Sequence, residues 1–208
     1  MTPHWDAAPG TMREVLTSVS AVLCTTDFYL AGGTALALLE GHRVSCALDL
    51  FSPTFDDTER TQAALLGAYP SAVVTSVAPR TLYLTIESTI VSLFGYSYLS
   101  IAPHLHPDAE LLPFASREDI AAMKLAAIAS RGSRKDFLDL WVLTARHWPL
   151  ARSLELYQKK FANRDVGHVV RSLTYFEDAD AEPPLRLLID VEWDAVKREL
   201  TNWVAALL

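Results

Sequence analysis

This sequence contains few cysteines and no long apolar run, and its acidic residues outnumber its basic ones. The two cysteines, Cys24 and Cys46, match no metal-ligand spacing, which favours a cytoplasmic protein with reduced thiols. No apolar run reaches the roughly 18 residues that a membrane span needs, and the N-terminal MTPHWDAAPG lacks the basic and apolar regions of a signal peptide. The net charge of −7 argues against a general nucleic-acid coat protein, although Arg131, Arg134 and Lys135 could form a local basic patch.

The 208 residues are half hydrophobic, so we expect a globular protein with a sizeable core. Strand patterns end near residue 115, and the sequence beyond that point has only helical patterns. The sequence therefore predicts an α/β core over residues 1–115 and a helical subdomain over residues 116–208. The β-rich runs Ala72–Ala78, Leu82–Glu87 and Ile90–Gly95 are separated by short breaks, which predicts a strand meander.

Four helix starts are predicted from capping boxes, in which a Ser or Thr is followed three residues later by an acid. The four pairs are Thr11/Glu14, Thr54/Asp57, Ser116/Asp119 and Ser133/Asp136. On this basis Asp136 is a helix cap, and Asp139 on the same helical face forms a solvated acid pair with it.

The most informative stretch is FYLAGGTALALLEGHRVSCALDLFS, from Phe28 to Ser52. An apolar run stops at Gly-Gly-Thr, an apolar helical segment follows, and a second apolar run carries Asp49, which predicts strand, glycine turn, helix and strand. Two glycines let the backbone approach a ligand closely, and the N–H groups that open a helix form an anion site. Asp49 on the next strand could hold a metal beside that anion. An anion site with an adjacent carboxylate is what a nucleotide-handling protein needs.

The same stretch resembles the signature of the AbiEii/AbiGii-type nucleotidyltransferase toxins, which belong to the polymerase-β-like superfamily. The family's Gly-Gly-Ser/Thr motif matches Gly32, Gly33 and Thr34, and its Gly-His-Arg then Asp-x-Asp segment matches GHR at 41–43 and the strand carrying Asp49. A second block, SREDIAAMKLAAIASRGSRKDFLDLWVL, is similar to the family's helical motif. Its matching residues are Lys124, Arg131, Asp136 and Asp139.

The resemblance implies an α+β nucleotidyltransferase fold, with a mixed β-sheet and flanking helices followed by a helical C-terminal half. It implies a toxin of a bacterial toxin–antitoxin or abortive-infection system that uses Mg2+ or Mn2+ and a nucleoside triphosphate. The implied catalytic residues are Asp49, Lys124 and Asp136, with Asp49 as metal ligand, and the implied nucleotide-binding residues are Gly32, Gly33, Thr34, Lys124 and Arg131. The implied partners are an RNA or protein acceptor and a cognate antitoxin, with no membrane.

The sequence departs from the family pattern at position 47, where Ala47 stands in place of the first acid of Asp-x-Asp. Residues two apart on a strand face the same way, which lets two carboxylates share a pair of metal ions in phosphoryl transfer. A single carboxylate should bind metal more weakly. Two hypotheses therefore stay open: an active nucleotidyltransferase, and a degenerate relative that binds a nucleotide, RNA or protein without turnover.

Simpler interpretations exist for the other candidate residues. Gly32 and Gly33 could form only a tight turn, Asp49 could pair with Arg43, and Lys124 could extend from a helix edge to water. A rival metal site is the run His104-x-His106-x-Asp108, whose alternate residues could bind zinc if they lay on a strand. The flanking prolines instead indicate a loop.

Overall fold

The computed structural model describes residues 2–8, 10–163 and 165–207. The chain forms two compact units. The first runs to Tyr98 and includes His104–Ala115, and the second consists of Leu99–Pro103 and the chain from Ser116 onward. The first unit holds the sheet, and the second unit is helical.

The first unit is a five-stranded sheet with helices. The strands are β1 (Tyr29–Ala31), β2 (Ala47–Ser52), β3 (Val73–Ala78), β4 (Thr81–Ile86) and β5 (Thr89–Gly95). The helices are α1 (Met12–Leu23), α2 (Gly32–Glu40) and α3 (Thr58–Ala68), preceded by a short 3-10 helix at Trp5–Ala7. The predicted meander is confirmed as β3, β4 and β5.

The strand order is β1-β2-β5-β4-β3, in which β2 and β5 are parallel and all other neighbours are antiparallel. The predicted mixed sheet and α+β class are thereby confirmed. The parallel pair brings residues 47–52 beside residues 90–95, although residues 53–88 separate the two strands along the chain. Helix α3 lies within that connection, and α2, which joins β1 to β2, packs against both of those strands.

The two faces of the sheet differ in burial because side chains alternate along each strand. On β2, Leu48 and Leu50 are fully buried, whereas Ala47, Asp49 and Phe51 are half-buried. The register places Ser92 and Phe94 of β5 beside Asp49 and Phe51. We call this second side, which carries Asp49, the open face of the sheet.

The second unit is helical, as the sequence predicts. Its helices are α4 (Arg117–Arg131), α5 (Arg134–Arg146), α6 (Leu150–Phe161), α7 (Gly167–Ser172), α8 (Glu177–Ala181) and α9 (Trp193–Ala205). Helix α4 packs against α5, α6 and α7, and α5 packs against α8 and α9. Within the described part of the chain, no helix combines the length and apolar character that a membrane crossing requires.

The capping predictions are partly wrong. Ser116 caps α4 as predicted, since its side chain accepts a hydrogen bond from the Asp119 N–H. Helix α3 starts later than predicted, and Asp57 is its cap in place of Thr54. Thr11 and Ser133 occupy the predicted cap positions but make no side-chain capping bond. The Ser133 hydroxyl instead donates to Glu182 Oε2 at 3.0 Å, so a tertiary contact replaces the local cap.

Candidate functional site

The glycine turn lies between strand and helix. Strand β1 ends at Ala31 and α2 begins at Gly32, whose φ of +66° is a left-handed conformation that favours glycine. Ala31 is the N-cap and makes no side-chain capping bond. The first N–H groups of a helix have no partner within the helix, so the turn at Gly32, Gly33 and Thr34 has the backbone geometry that an anion site needs.

The carboxylate of Asp49 lies directly against this turn. A Cβ atom built on Gly32 would lie 3.0 Å from Asp49 Oδ2 and 3.5 Å from Asp49 Cβ. The register explains the approach, because Asp49 pairs with Ala31 on one side and Ser92 on the other. Gly32 is thus required twice, for its backbone conformation and for the space that Asp49 occupies. The structure brings together the turn and the acid that the sequence singled out.

Thr34 connects the turn to the start of β2. Its side chain is buried, and its hydroxyl donates to the carbonyl oxygen of Ala47. The hydroxyl oxygen of Thr34 also lies 2.7 Å from Ser45 Oγ. Because the one hydroxyl hydrogen of Thr34 goes to Ala47, Ser45 is the donor in that second bond. The Thr34 hydroxyl therefore holds the site together, and the group that remains for a ligand is its backbone N–H.

The open face beside Asp49 offers one carboxylate. Ala47 lies two residues before Asp49 on the same face, opposite Ile90, and the hydroxyl-bearing Ser92 is the neighbour of Asp49 on β5. Glu87 lies in the β4–β5 turn with φ +46°, not on a strand of this face. No group of three His, Cys, Asp or Glu residues suited to a metal occurs among the described residues. This donor set does not fit two protein-held ions, but it fits one ion that keeps waters and shares phosphate oxygens with a substrate.

The residues of the second motif form a buried ion cluster in the helical unit. Lys124 Nζ lies 2.8 Å from Asp136 Oδ1 and 2.6 Å from Asp139 Oδ2. The Lys124 side chain is 5% exposed, and both aspartate side chains are 0% exposed. The expectation of a solvated Asp136–Asp139 pair is wrong, because the packing of α4 on α5 places Lys124 between the two acids.

Arg131 is the exposed member of the cluster. Its Nε and Nη2 atoms donate to the two oxygens of Asp136 at 2.8 and 3.1 Å, while 57% of its side chain is exposed. Burial raises the pKa of Asp136, but attraction to Lys124 and hydrogen bonds from Arg131 and Lys124 outweigh it. The pKa of Asp136 is therefore lower than its ordinary value. Asp136 stays ionised and holds both cations.

A second buried ion pair in the helical unit was not predicted. Lys160 Nζ lies 2.7 Å from Asp119 Oδ1, and both side chains are almost fully buried. The Lys160 ammonium also donates to the carbonyl of Leu99, and Asp119 accepts from the N–H of Ile101. A sequence signal existed, because Lys160 follows Leu156 and Tyr157 at helical spacing on an apolar face.

The alternative sites receive no support from the described residues. The ring of His104 lies against Tyr29 with 4.3 Å between centroids, so it packs on an aromatic side chain. The sequence HLHPD does not contribute to any metal group within residues 2–8, 10–163 and 165–207. The predicted basic patch of Arg131, Arg134 and Lys135 has one cation engaged within the protein, since the Arg134 guanidinium donates to the carbonyls of Ala179 and Asp180.

Known proteins resemble this chain in sequence and in fold. A protein from Aquifex aeolicus, described only as uncharacterized, is 38% identical over 180 residues, covering 82% of this chain and 84% of that protein. A crystal structure from H. pylori whose description names a nucleotidyltransferase has a TM-score of 0.54 at 14% identity, covering 93% of this chain and 92% of that chain. MenT4, a nucleotidyltransferase toxin from Mycobacterium tuberculosis, has a TM-score of 0.50 at 15% identity, covering 92% and 82%. These two structures support the fold.

The family assignment rests on nearly the whole chain. The family model for the nucleotidyl transferase AbiEii toxin of type IV toxin–antitoxin systems matches residues 14–203. That range contains the Gly32 turn, Asp49 and the Lys124–Asp136 cluster, so the matched residues are those that the structure gathers in each unit. The chain belongs to the AbiEii nucleotidyltransferase toxin family.

Proposed function

We propose that this protein transfers a nucleotide from a nucleoside triphosphate to an acceptor hydroxyl. The observation that carries the proposal is the position of Asp49, whose carboxylate lies against the glycine turn at the N-terminus of α2. In the reaction, the acceptor oxygen bonds to the α-phosphorus as the bond from that phosphorus to the bridging oxygen breaks. Pyrophosphate leaves, and the hydroxyl proton passes to solvent.

The N–H groups of Gly33 and Thr34 donate to phosphate oxygens in this proposal. Gly33 is half-buried in the first turn of α2, and Thr34 is fixed by its hydroxyl bond to Ala47. The positive end of the helix dipole favours an anion there. The fixed orientation of these donors is what makes them effective, because catalysis of phosphoryl transfer consists largely of positioning and charge stabilisation.

The family also implies a divalent ion, Mg2+ or Mn2+. Asp49 would hold it, with oxygens of the triphosphate and water as the other ligands. Bound there, the ion would neutralise charge on the phosphate oxygens. Asp49 itself lies against the Gly32 turn, which accounts for the absence of any side chain at position 32.

The helical cluster has a different proposed role. Asp136 fixes the direction of the Arg131 guanidinium while 57% of the Arg131 side chain is exposed, so Arg131 is the cation of the cluster that we assign to phosphate oxygens. Lys124 is held by two buried carboxylates, and it helps to fix Asp136, the partner of Arg131. We therefore assign nucleotide binding to Arg131, and positioning to Lys124 and Asp136.

One observation favours a second candidate function, a nucleotide-binding protein without turnover. Ala47 occupies the position on the open face where a second carboxylate would be needed for a two-ion site. The two functions share the phosphate-binding turn and differ only in chemistry. A protein or RNA acceptor, a cognate antitoxin and a cytoplasmic location follow from the family and are part of the proposal.

The test is label transfer from each α-labelled nucleoside triphosphate, with Mg2+ or Mn2+, onto total RNA or total protein. The account predicts transfer that Asp49→Asn abolishes, whereas Asp56→Asn, which removes a solvent-exposed carboxylate in the same unit, keeps it. Nucleotide binding without any transfer would support the binding protein. Absence of both would contradict the two functions together.

A further inference from the structure

The two edges of the sheet differ in how they are covered. At one edge the protein's own chain covers β1, because Leu30 N–H donates to the carbonyl of Pro113 and Ala115 N–H donates to the carbonyl of Leu30, both at 2.8 Å. At the other edge, β3 pairs with β4 alone. Among the residues that the structure describes, none outside β4 forms a backbone hydrogen bond with Val73–Ala78. We call this open side of the sheet the β3 edge.

The β3 edge exposes apolar side chains on both faces of the sheet. Val73 is 59% exposed and Val77 is 50% exposed. Val73 pairs with Thr85, which lies on the open face beside Ile90, whereas Val77 pairs with the buried Leu82 on the other face. A valine therefore borders each face at this edge, and a further strand laid alongside β3 would cover both.

The β3 edge is also free of charge, although the chain as a whole has a net charge of −7. Residues 61–79, which include the whole strand, contain no Asp, Glu, Lys, Arg or His. The next cation, Arg80, is engaged by Asp56 and by the carbonyl of Pro53. Proteins commonly protect an open edge with a charged residue or a proline inside the strand, and Val73–Ala78 contains neither. The edge therefore offers a second strand backbone groups and valines without repulsion.

One protective feature is present, a bulge at which the register of β3 with β4 shifts between Val74 and Ser76. A bulge increases the local twist and helps to limit edge-to-edge aggregation. A contact between two strands accommodates a larger twist than a wide sheet does, so the bulge does not prevent one further strand from pairing. Because it shortens the regular part of the strand, we expect the contact to be weak and dependent on concentration.

We propose that the β3 edge pairs with the β3 edge of a second copy of this chain, in antiparallel orientation about a two-fold axis. Charge argues for this occupant, because two chains of net charge −7 repel each other least where both surfaces are uncharged. In a symmetric contact the same surface serves both copies, and every interaction occurs twice. Because β1 is already covered, each copy has one open edge. Pairing therefore stops at a dimer, in which the two five-stranded sheets form one continuous sheet.

This dimer goes beyond the proposed function and leaves the proposed site uncovered. Strands β4 and β5 lie between β3 and β2, the strand that carries Asp49. Three steps of about 4.8 Å between neighbouring strands place β3 roughly 14 Å from β2. Loss of the dimer should therefore leave nucleoside triphosphate affinity unchanged, so calorimetry of triphosphate binding separates a failure of this inference from a failure of the proposed function.

The experiment measures the mass of the full chain by sedimentation equilibrium over about a hundredfold range of concentration, because association depends on concentration by mass action. One variant carries Val73→Lys with Val77→Lys, and a second carries Val73→Glu with Val77→Glu. The control is Tyr175→Lys with Leu188→Lys, which adds two lysines at positions of the helical unit that are 50% and 37% exposed. Val77→Lys and Val77→Glu alone serve if a double variant lowers the melting temperature.

The wild type should show a monomer–dimer equilibrium, and exchange of the backbone N–H groups of residues 73–78 should slow as the dimer forms. Each double variant alone should dimerise about tenfold more weakly or less, because like charges then face each other across the pair. An equimolar mixture of the lysine and glutamate variants should recover the dimer, since opposite charges then meet. The control should dimerise as the wild type does.

A wild type that stays a monomer up to about 0.5 mM would overturn the inference. So would a dimer that persists unchanged in both double variants, because its interface would lie elsewhere. If the mixture did not recover the dimer, the symmetric pairing of the two β3 edges would be wrong. Binding of a different polypeptide to the β3 edge of a monomeric wild type would assign the edge to that polypeptide and overturn the dimer.

Discussion

Asp49 and Asp136 both come from motifs of the family, yet they have opposite surroundings. Asp49 is half-buried on the open face of a sheet, against a glycine turn that has no side chain at Gly32. Asp136 is fully buried, and its two oxygens are bonded to Lys124 and Arg131. One acid is placed where a ligand can reach it, and the other is placed where it holds cations.

The difference shows that acids from two motifs of one family can have different physical roles. A buried charge is costly unless it is paired, so Lys124, Asp136 and Asp139 must be retained together once any one of them is present. Asp49 is half-buried, and the space at Gly32 is kept clear for it. Substitutions at the two sites should therefore have different effects on the stability of the protein and on ligand binding.

The largest expected effect is the loss of a buried partner. Lys124→Ala leaves Asp136 and Asp139 as buried acids without their shared cation, and breaking such a pair typically costs about 3–5 kcal/mol. Arg131→Ala should cost no more than about 1 kcal/mol, because that side chain is mostly exposed. Urea unfolding measures both. Equal costs for the two variants would contradict the distinction between the buried and exposed cations.

A smaller loss is expected at the glycine turn. Gly32→Ala forces a side chain into a left-handed conformation and against Asp49 Oδ2 at 3.0 Å, which should cost about 1–3 kcal/mol. In an Asp49→Ala background only the conformational part remains, so the cost of the same substitution should be smaller. The double-mutant cycle is read by urea unfolding. Strict additivity would mean that Asp49 does not lie against Gly32 in solution.

Acid should weaken the helical cluster through Asp136. Since the folded pKa of Asp136 is lowered, its ionised form stabilises the fold above its unfolded pKa of about 4. This contribution is lost as the pH falls through the lower folded pKa. The unfolding free energy of Asp136→Asn should therefore depend less on pH below about pH 4 than that of the wild type. Asp56→Asn, which removes an exposed acid, should keep the wild-type slope. If the unfolding free energy of Asp136→Asn depended on pH as strongly as that of the wild type, Asp136 would not be the source of this pH dependence.

The smallest expected shift concerns the missing carboxylate. Ala47→Asp would place a second acid on the face of Asp49, and repulsion should cost about 0.5–3 kcal/mol. Mg2+ or Mn2+ should recover part of this loss, because an ion that binds only the folded state stabilises it. We expect a larger metal-induced rise in melting temperature for Ala47→Asp than for the wild type. Removal of Asp49 from this variant should cancel the gain, and equal shifts would argue against a metal role for Asp49.

Local signals in the sequence were sufficient for much of the fold. The strand–turn–helix around Gly32 and the meander β3–β5 are specified by glycine and by alternating residues close together in the chain. The parallel pairing of β2 with β5 was not predictable in the same way, since it joins distant segments. The sequence therefore indicated which residues flank Asp49 on its own strand, but not that Ser92 and Tyr83 lie beside it.

The candidate site was predicted less completely where the packing of one helix on another determines the environment of a side chain. Capping logic made Asp136 a helix cap, and periodicity made Asp139 a solvated acid. Both interpretations fail because α4 packs on α5 and places Lys124 between the two acids. Lys124 itself left two interpretations open in the sequence, and the choice between a snorkelling and a buried lysine depends on partners that are not adjacent in the chain.

The central claim is that Asp49 and the Gly32 turn form the metal- and phosphate-binding end of a nucleotide site. Its most direct test is calorimetric titration of a nucleoside triphosphate with and without Mg2+, in the wild type and in Asp49→Asn. The account predicts that Mg2+ tightens binding to the wild type and has a much smaller effect on Asp49→Asn. The same Mg2+ dependence in both proteins would contradict it.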